Sequence, residues 1–118
     1  MLRVLDRELL ADVPGIELPT SPRPEAHVWH LFVILTPDAD RDRLRAQLWE
    51  RGIATGVHYP TPVPLQPAYA QLNYQTGDLP VAEDVMRRCL SLPMFPEMTR
   101  EQISSTVSAL RECLKNQA

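Results

Sequence analysis

The chain has 118 residues and a mass of 13.4 kDa, which suits one domain with a modest core and is too little for two. Its net charge of −3 and pI of about 5.5 argue against a nucleic acid or an anionic membrane surface as the partner. No apolar run approaches the roughly 20 residues of a transmembrane helix, and the N-terminus is too charged for a signal peptide. We therefore expect one domain, residues 1–118, in the cytoplasm.

The first third of the chain predicts a helix, a loop and a strand. Leucines at helical spacing indicate a helix over residues 2–13, which Pro14 and Gly15 would end. Residues 16–18 are compatible with a short strand, and three prolines between residues 19 and 25 indicate a loop. The run "HVWHLFVIL", residues 27–35, is rich in β-branched and aromatic residues and predicts a central strand with both faces covered.

The middle of the chain completes a strand–helix–strand sequence. Asp38 or Asp40 is a candidate cap for a helix over residues 40–51. Gly52 is the expected residue after the end of that helix. Residues 54–58 then predict the second strand, although the sequence does not give the strand order.

Two more helices follow a proline-rich loop. The first is predicted over residues 80–90, with Asp78 as its cap and Pro80 in its first turn. A connector with a short extended piece, residues 91–98, leads to a helix over residues 99–114. Thr99 and Gln102 have the spacing of a capping box at its start.

These elements predict an α/β domain in which helices cover a small sheet. The predicted core consists of Trp29, Leu31, Val33, Leu44, Leu48, Ile53, Val85, Ile103, Val107 and Leu110.

Few residues in the sequence are candidates for chemistry. His27 and His30 have the H-x-x-H spacing of a metal site, but on a strand residues three apart point to opposite faces. We therefore predict no shared metal, and we expect one of the two to be a hydrogen-bonded sheet histidine. Cys89 and Cys113 lie in helix-like patterns, and we interpret them as small apolar residues rather than a disulfide framework.

His58 and Tyr59 are the exception, because they stand where a strand ends and a stiff loop begins. Prolines follow at positions 60, 62, 64 and 67, and each fixes its own φ angle and restricts the residue before it. Such a loop loses little entropy when a ligand docks. From the residues alone, a binding role and simple packing under the loop remain equally open.

The segments "HVWHLFVIL", "ERGIATGVHYPTPVPLQPAY" and "YQTGDLPVAEDVMRRCLSLPMFPEMTREQI", in this order, resemble the C-terminal part of the DegT/DnrJ/StrS family. These are pyridoxal-phosphate-dependent sugar aminotransferases of the aspartate-aminotransferase-like fold. The resemblance covers nearly the whole chain. It implies the small C-terminal domain of that fold, a nucleotide-linked keto-sugar as substrate, glutamate as amino donor and a homodimer. It also implies that His58 and Tyr59 bind substrate.

The chain departs from the family pattern in two ways. Many members have a second histidine in the loop where this chain has Pro64. The cofactor-binding large domain is not represented, and Lys115 is the only lysine. The resemblance therefore assigns no catalytic, cofactor-binding or metal residue here, and we expect no transamination by this chain alone. Met1 within a helical pattern slightly favours a truncated reading frame. The alternative interpretation is a non-catalytic remnant that serves as a binding or oligomerisation module.

Overall fold

The computed structural model describes residues 7–23, 26–37 and 41–116. Within them, residues 7–10 are helical and the proline-rich loop contains two short 3₁₀ segments, Val63–Leu65 and Pro67–Leu72. The remaining elements, in chain order, are β1 (Phe32–Leu35), α1 (Arg41–Glu50), α2 (Pro80–Arg88), β2 (Cys89–Leu92) and α3 (Arg100–Lys115).

The sheet is an antiparallel pair formed by β1 and β2, with Phe32 opposite Leu92 and Leu35 opposite Cys89. One isolated antiparallel bridge, between Glu17 and Leu35, extends it beyond β1, and another, between Gly56 and Ser91, extends it beyond β2. The small α/β architecture is thus confirmed.

The predicted strands are correct only in part. Residues 54–58 contribute the single bridge at Gly56, and the partner of β1 is Cys89–Leu92, which the sequence divided between a helix and a connector. Helix α2 ends at Arg88 because Cys89 adopts extended geometry, with φ −67° and ψ 134°. The Arg88 carbonyl then accepts the Thr36 N–H across the sheet. Residues 27–31 precede β1 and are not part of it, and residues 16–18 contribute only the bridge at Glu17.

The core lies between the sheet and the helices, and its most deeply buried side chains come from the N-terminal helical turn, both strands, α1 and α3. They include Leu10, Phe32, Ile34, Leu44, Leu48, Leu90, Ile103 and Leu110. Six of the ten predicted core residues are buried. The other four, Trp29, Leu31, Val33 and Val85, are only half-buried.

The prediction chose the wrong core residues in and before β1 because the run is apolar on both faces. Phe32 and Ile34 face the core, whereas Val33 lies on the less covered face. Side chains alternate along a strand, so choosing the odd positions placed the core on the wrong face. Trp29 still packs against the core, with its ring centroid 5.5 Å from that of Phe32.

Local capping signals were more reliable. Gly52 has φ 76°, its N–H bonds the Trp49 carbonyl, and the Ile53 N–H bonds the Leu48 carbonyl, which together form a Schellman motif at the end of α1. Thr99 and Gln102 form the predicted capping box at α3. Proposed caps Asp38 and Asp40 lie outside the described residues.

The start of α2 differs from the prediction in one respect. Pro80 occupies the first turn as expected, but Asp78 is not the cap. Its carboxylate accepts the Gln75 N–H in the preceding turn, whereas Glu83 reaches back to accept the N–H groups of Gly77 and Leu79. Among the described helices, none is both long and apolar enough to cross a membrane.

Candidate functional site

The proline-rich loop, residues 57–79, leaves the sheet immediately after the bridge at Gly56. Pro62 is buried and holds the loop against the domain, and the two 3₁₀ segments fold the rest of it on itself. Six large apolar side chains of the loop and of the adjoining start of α2 are solvent-exposed. We call this surface the loop face; it comprises Tyr59, Val63, Tyr69, Leu72, Tyr74 and Val81.

His58 and Tyr59 are adjacent on the exposed rim of this loop. The peptide bond between them is cis. Tyr59 is 64% exposed, and its ring meets the exposed His58 ring edge-on at a centroid distance of 5.4 Å. The Tyr59 carbonyl lies 3.9 Å from the Cys89 thiol, close to the first residue of β2. Both predicted site residues are therefore accessible to a ligand.

The His58 ring is held on one side by the sheet. Its Nδ1 lies 2.9 Å from the Oγ of Ser91, which is a buried residue of β2. The ring also lies directly over Gly56, where an added Cβ would be 2.6 Å from the His58 Cε1. Only glycine permits this approach without moving the ring.

Sequence reasoning did not select Ser91 or Gly56. The available signal was a lone polar residue in the apolar run "CLSLPMF" and a glycine two positions before the histidine. Neither signal indicates a role until the structure shows that the bridge between Gly56 and Ser91 brings the two residues together.

A cleft of about 570 Å³ lies between the proline-rich loop and α2. Arg41, which lines it, donates to the carbonyls of Met86 (2.8 Å) and Cys89 (3.4 Å) and so ties α1 to the end of α2. Glu83 and Asp84 also line the cleft. The cleft is open to solvent, combines these charged side chains with prolines of the loop, and adjoins the loop that carries His58.

Arg88, the last residue of α2, holds the C-terminal end of this helix against the sheet. Its guanidinium donates to the Thr36 carbonyl at 2.8 Å and to Asp84 at 3.1 Å, and it also pairs with Glu17. The hydrogen bond to Glu17, followed by that to Asp84, raises the pKa of Arg88. The cation therefore connects the end of the sheet where Leu35 pairs with Cys89 to α2.

The other candidate residues are His27, His30, Cys89 and Cys113, and of these Cys89 adjoins Tyr59. His27 is half-buried and stacks on Trp29 at 3.9 Å, with a buried Nδ1 that has no partner, and His30 is exposed. Neither lies on a strand, so the expected hydrogen-bonded sheet histidine is wrong. Cys89 and Cys113 are buried free thiols, and burial raises the pKa of Cys113. Across residues 7–23, 26–37 and 41–116, no three His, Cys, Asp or Glu side chains form a potential metal site.

The fold of this chain is similar to that of aminotransferases of known structure. A structure of DesV from S. venezuelae in complex with a ketimine intermediate is 44% identical and superposes with a TM-score of 0.85, over 94% of this chain and 29% of that one. The NtdA structure from Bacillus subtilis with bound PMP is 32% identical, with a TM-score of 0.80 over 95% of this chain and 27% of that one. The fold is therefore that of a small α/β part of a pyridoxal-phosphate-dependent aminotransferase.

Sequence comparison gives the family. Residues 3–111 match the DegT/DnrJ/EryC1/StrS aminotransferase family, and the chain belongs to it. The dTDP-3-amino-3,4,6-trideoxy-alpha-D-glucose transaminase of Streptomyces venezuelae is 47% identical over 103 residues, 87% of this chain. The erythromycin biosynthesis sensory transduction protein EryC1 of Saccharopolyspora erythraea is 43% identical over 102 residues, 86% of this chain. The chain spans 27% of the length of each of these relatives.

Proposed function

We propose that this chain is the C-terminal small domain of a sugar aminotransferase that transfers an amino group from glutamate to a nucleotide-linked keto-sugar. The observation that carries the proposal is that His58, in a chain of this family, is solvent-exposed while its ring is held by a hydrogen bond with Ser91. Relatives named as transaminases of dTDP-linked and UDP-linked amino sugars support the substrate class. A cytoplasmic location is part of the same proposal.

Under this proposal, His58 and Tyr59 form one wall of the substrate site. Within the described residues, the His58 Nδ1 is engaged by Ser91 and Nε2 has no partner, so Nε2 is available for an oxygen of the substrate. The exposed Tyr59 ring supplies an apolar face and a phenol that can donate a hydrogen bond. The stiff loop holds both groups in place before the substrate arrives, which lowers the entropy lost on binding.

The described residues do not fit the family's cofactor. Pyridoxal phosphate supplies the electron sink for amino transfer and requires a lysine amine in a shaped site. Lys115, the only lysine of the sequence, is exposed in the last turn of α3. We therefore propose that cofactor binding and the chemical steps are not carried by the residues of this chain. We expect this chain alone to be inactive.

The loop face is the surface that we assign to contacts with the rest of the enzyme and with a second subunit. Its exposed side chains include Val81 at 77% and Val63 at 56%. Six large apolar side chains exposed along one loop and the start of the next helix exceed the scattered single residues of an ordinary surface, and we assign them to an interaction site. Family membership makes a second aminotransferase subunit the expected partner.

A chimeric enzyme tests the proposal directly. Residues 7–116 would replace the matching segment of the S. venezuelae transaminase, and amino transfer from glutamate to its keto-sugar nucleotide would be measured with added cofactor. We expect activity, and we expect His58→Ala to lower kcat/KM by roughly 10-fold or more, the effect of losing a hydrogen bond to a charged substrate group.

The matched control is Trp49→Ala. Trp49 is 71% exposed on α1 and is not part of the loop face, and its removal should leave kcat/KM unchanged. A folded, cofactor-loaded chimera without activity contradicts the enzymatic role and favours a binding or oligomerisation module. An active chimera that is indifferent to His58→Ala retains the enzymatic role and removes His58 from the site.

A further inference from the structure

The support of His58 is a small cluster that consists of Gly56 and Ser91, on two neighbouring segments of the sheet. The backbones of these two residues exchange hydrogen bonds of 3.0 Å and 2.8 Å, which fixes one against the other. His58 then folds back so that its ring covers Gly56 and its Nδ1 reaches the Ser91 Oγ at 2.9 Å. The ring orientation is therefore set by one backbone pairing, one close contact and one side-chain hydrogen bond.

The hydrogen bond can be assigned a direction. Ser91 is 4% exposed, and within the described part of the chain its hydroxyl has His58 as its only hydrogen-bond partner. A buried hydroxyl that does not donate leaves its hydrogen unsatisfied, which is unfavourable. The Ser91 O–H therefore donates to Nδ1. Because a neutral imidazole carries one N–H, the proton of neutral His58 lies on Nε2.

We propose that Ser91 is a positioning residue that holds neutral His58 in the Nε2–H form and directs this N–H outward as a hydrogen-bond donor. The ligand group it fits is an acceptor oxygen, such as a phosphate or carbonyl oxygen of a nucleotide-linked sugar. This choice of ligand rests on the function proposed above. The Ser91–His58 geometry is independent of that function.

Nuclear magnetic resonance of the 118-residue chain tests the geometry without a ligand. The sequence holds three histidines, and His58→Ala identifies the signals of His58. Above a pH of about 7.5, where an ordinary histidine is neutral, ¹⁵N shifts should show Nε2 protonated and Nδ1 accepting a hydrogen bond. A parent spectrum in which the His58 proton lies on Nδ1 refutes the assignment.

Ring motion tests the positioning role. Ser91→Ala should lower the order parameter of the His58 ring to about 0.6 or below, the range of flexible groups, and should shift its Nδ1 resonance. Ser91→Thr keeps the hydroxyl and should retain the parent signature. Ser105→Ala, an exposed serine of α3, should change neither quantity. An unchanged His58 ring in folded Ser91→Ala overturns the proposal.

The chimeric enzyme gives the corresponding functional test. Ser91→Ala should lower kcat/KM in the parent chimera and should have no further effect in a His58→Ala chimera, because Ser91 acts through the ring. Equal losses in both backgrounds would mean that Ser91 acts on something other than His58. Since the spectroscopic result is independent of activity, failure of the positioning role and failure of the enzymatic role are distinguishable.

Discussion

Replacing Gly56 with alanine should change the stability of the domain in a direction that depends on His58. The new Cβ would lie 2.6 Å from the His58 Cε1 and 3.3 Å from Nδ1. The ring must therefore move by about 1 Å to reach an ordinary carbon–carbon separation. This movement breaks the 2.9 Å contact with the buried Ser91 hydroxyl, which costs about 1–2 kcal/mol of stability.

An opposing effect on the unfolded chain makes the net change small in the parent. Gly56 does not have a positive φ angle, so alanine can adopt its backbone conformation. Alanine then reduces the entropy of the unfolded chain and stabilises by about 0.4–1 kcal/mol. We expect Gly56→Ala to lower the free energy of unfolding by about 1 kcal/mol, because the loss of the hydrogen bond outweighs the gain from the reduced entropy.

The sign should reverse when His58 is already alanine. The three nearest atoms to the new Cβ all belong to His58, and the most distant of them is 3.5 Å away, so removing the ring leaves only ordinary contacts. Gly56→Ala should then stabilise by about 0.4–1 kcal/mol. Urea unfolding of the parent, both single variants and the double variant, followed by the fluorescence of the two tryptophans, measures this. The same sign and size in both backgrounds would refute the described packing of His58 on Gly56.

Other predictions concern the helices, the core, the buried thiol and the loop face. Thr99→Ala removes the capping box of α3 and should lower the free energy of unfolding by about 1 kcal/mol in urea; Thr99→Ser should preserve it. Leu110→Ala, at a fully buried position of α3, should cost about 2–5 kcal/mol in the same assay, and a cost below about 1 kcal/mol would contradict its burial. Burial raises the pKa of Cys113 above its unfolded value, so this thiol contributes stability that is present below about pH 8.5 and is lost as pH rises further. Alkaline unfolding should be less pronounced in Cys113→Ala, and equal pH slopes would exclude the thiol as a cause. The isolated chain should self-associate through the loop face, as measured by light scattering; Val63→Ser with Val81→Ser should weaken this, and a parent that stays monomeric at high concentration contradicts the assigned surface.

The sequence predicted best those features that depend on a few neighbouring residues. Gly52 ends α1 because its positive φ angle and two adjacent backbone hydrogen bonds are local requirements. The capping box of Thr99 and Gln102 is equally local. Such signals need no knowledge of what packs on the helix, so spacing and residue type were sufficient.

The sheet was harder to predict because its partner strand follows a helix without a break in pattern. Val81, Val85 and Cys89 continue a helical spacing, and nothing between Arg88 and Cys89 marks a turn. The chain changes conformation there because the Arg88 carbonyl and the strand residues bond to Thr36 and β1, which are more than 50 positions away. Long-range pairing overrode the local pattern.

The candidate site shows the same division between local and long-range causes. The titratable pair and the stiff loop were visible in the run from Gly52 to Tyr69, but that run does not show what holds His58. Ser91 lies 33 positions away, and it approaches His58 only because Cys89–Leu92 forms a strand beside Gly56. The prolines restrict the backbone that follows His58, whereas Ser91 and Gly56 restrict the orientation of the His58 ring. Both constraints oppose motion before a ligand binds, and under the proposed function such pre-organisation would let one exposed histidine recognise an oxygen with a defined direction.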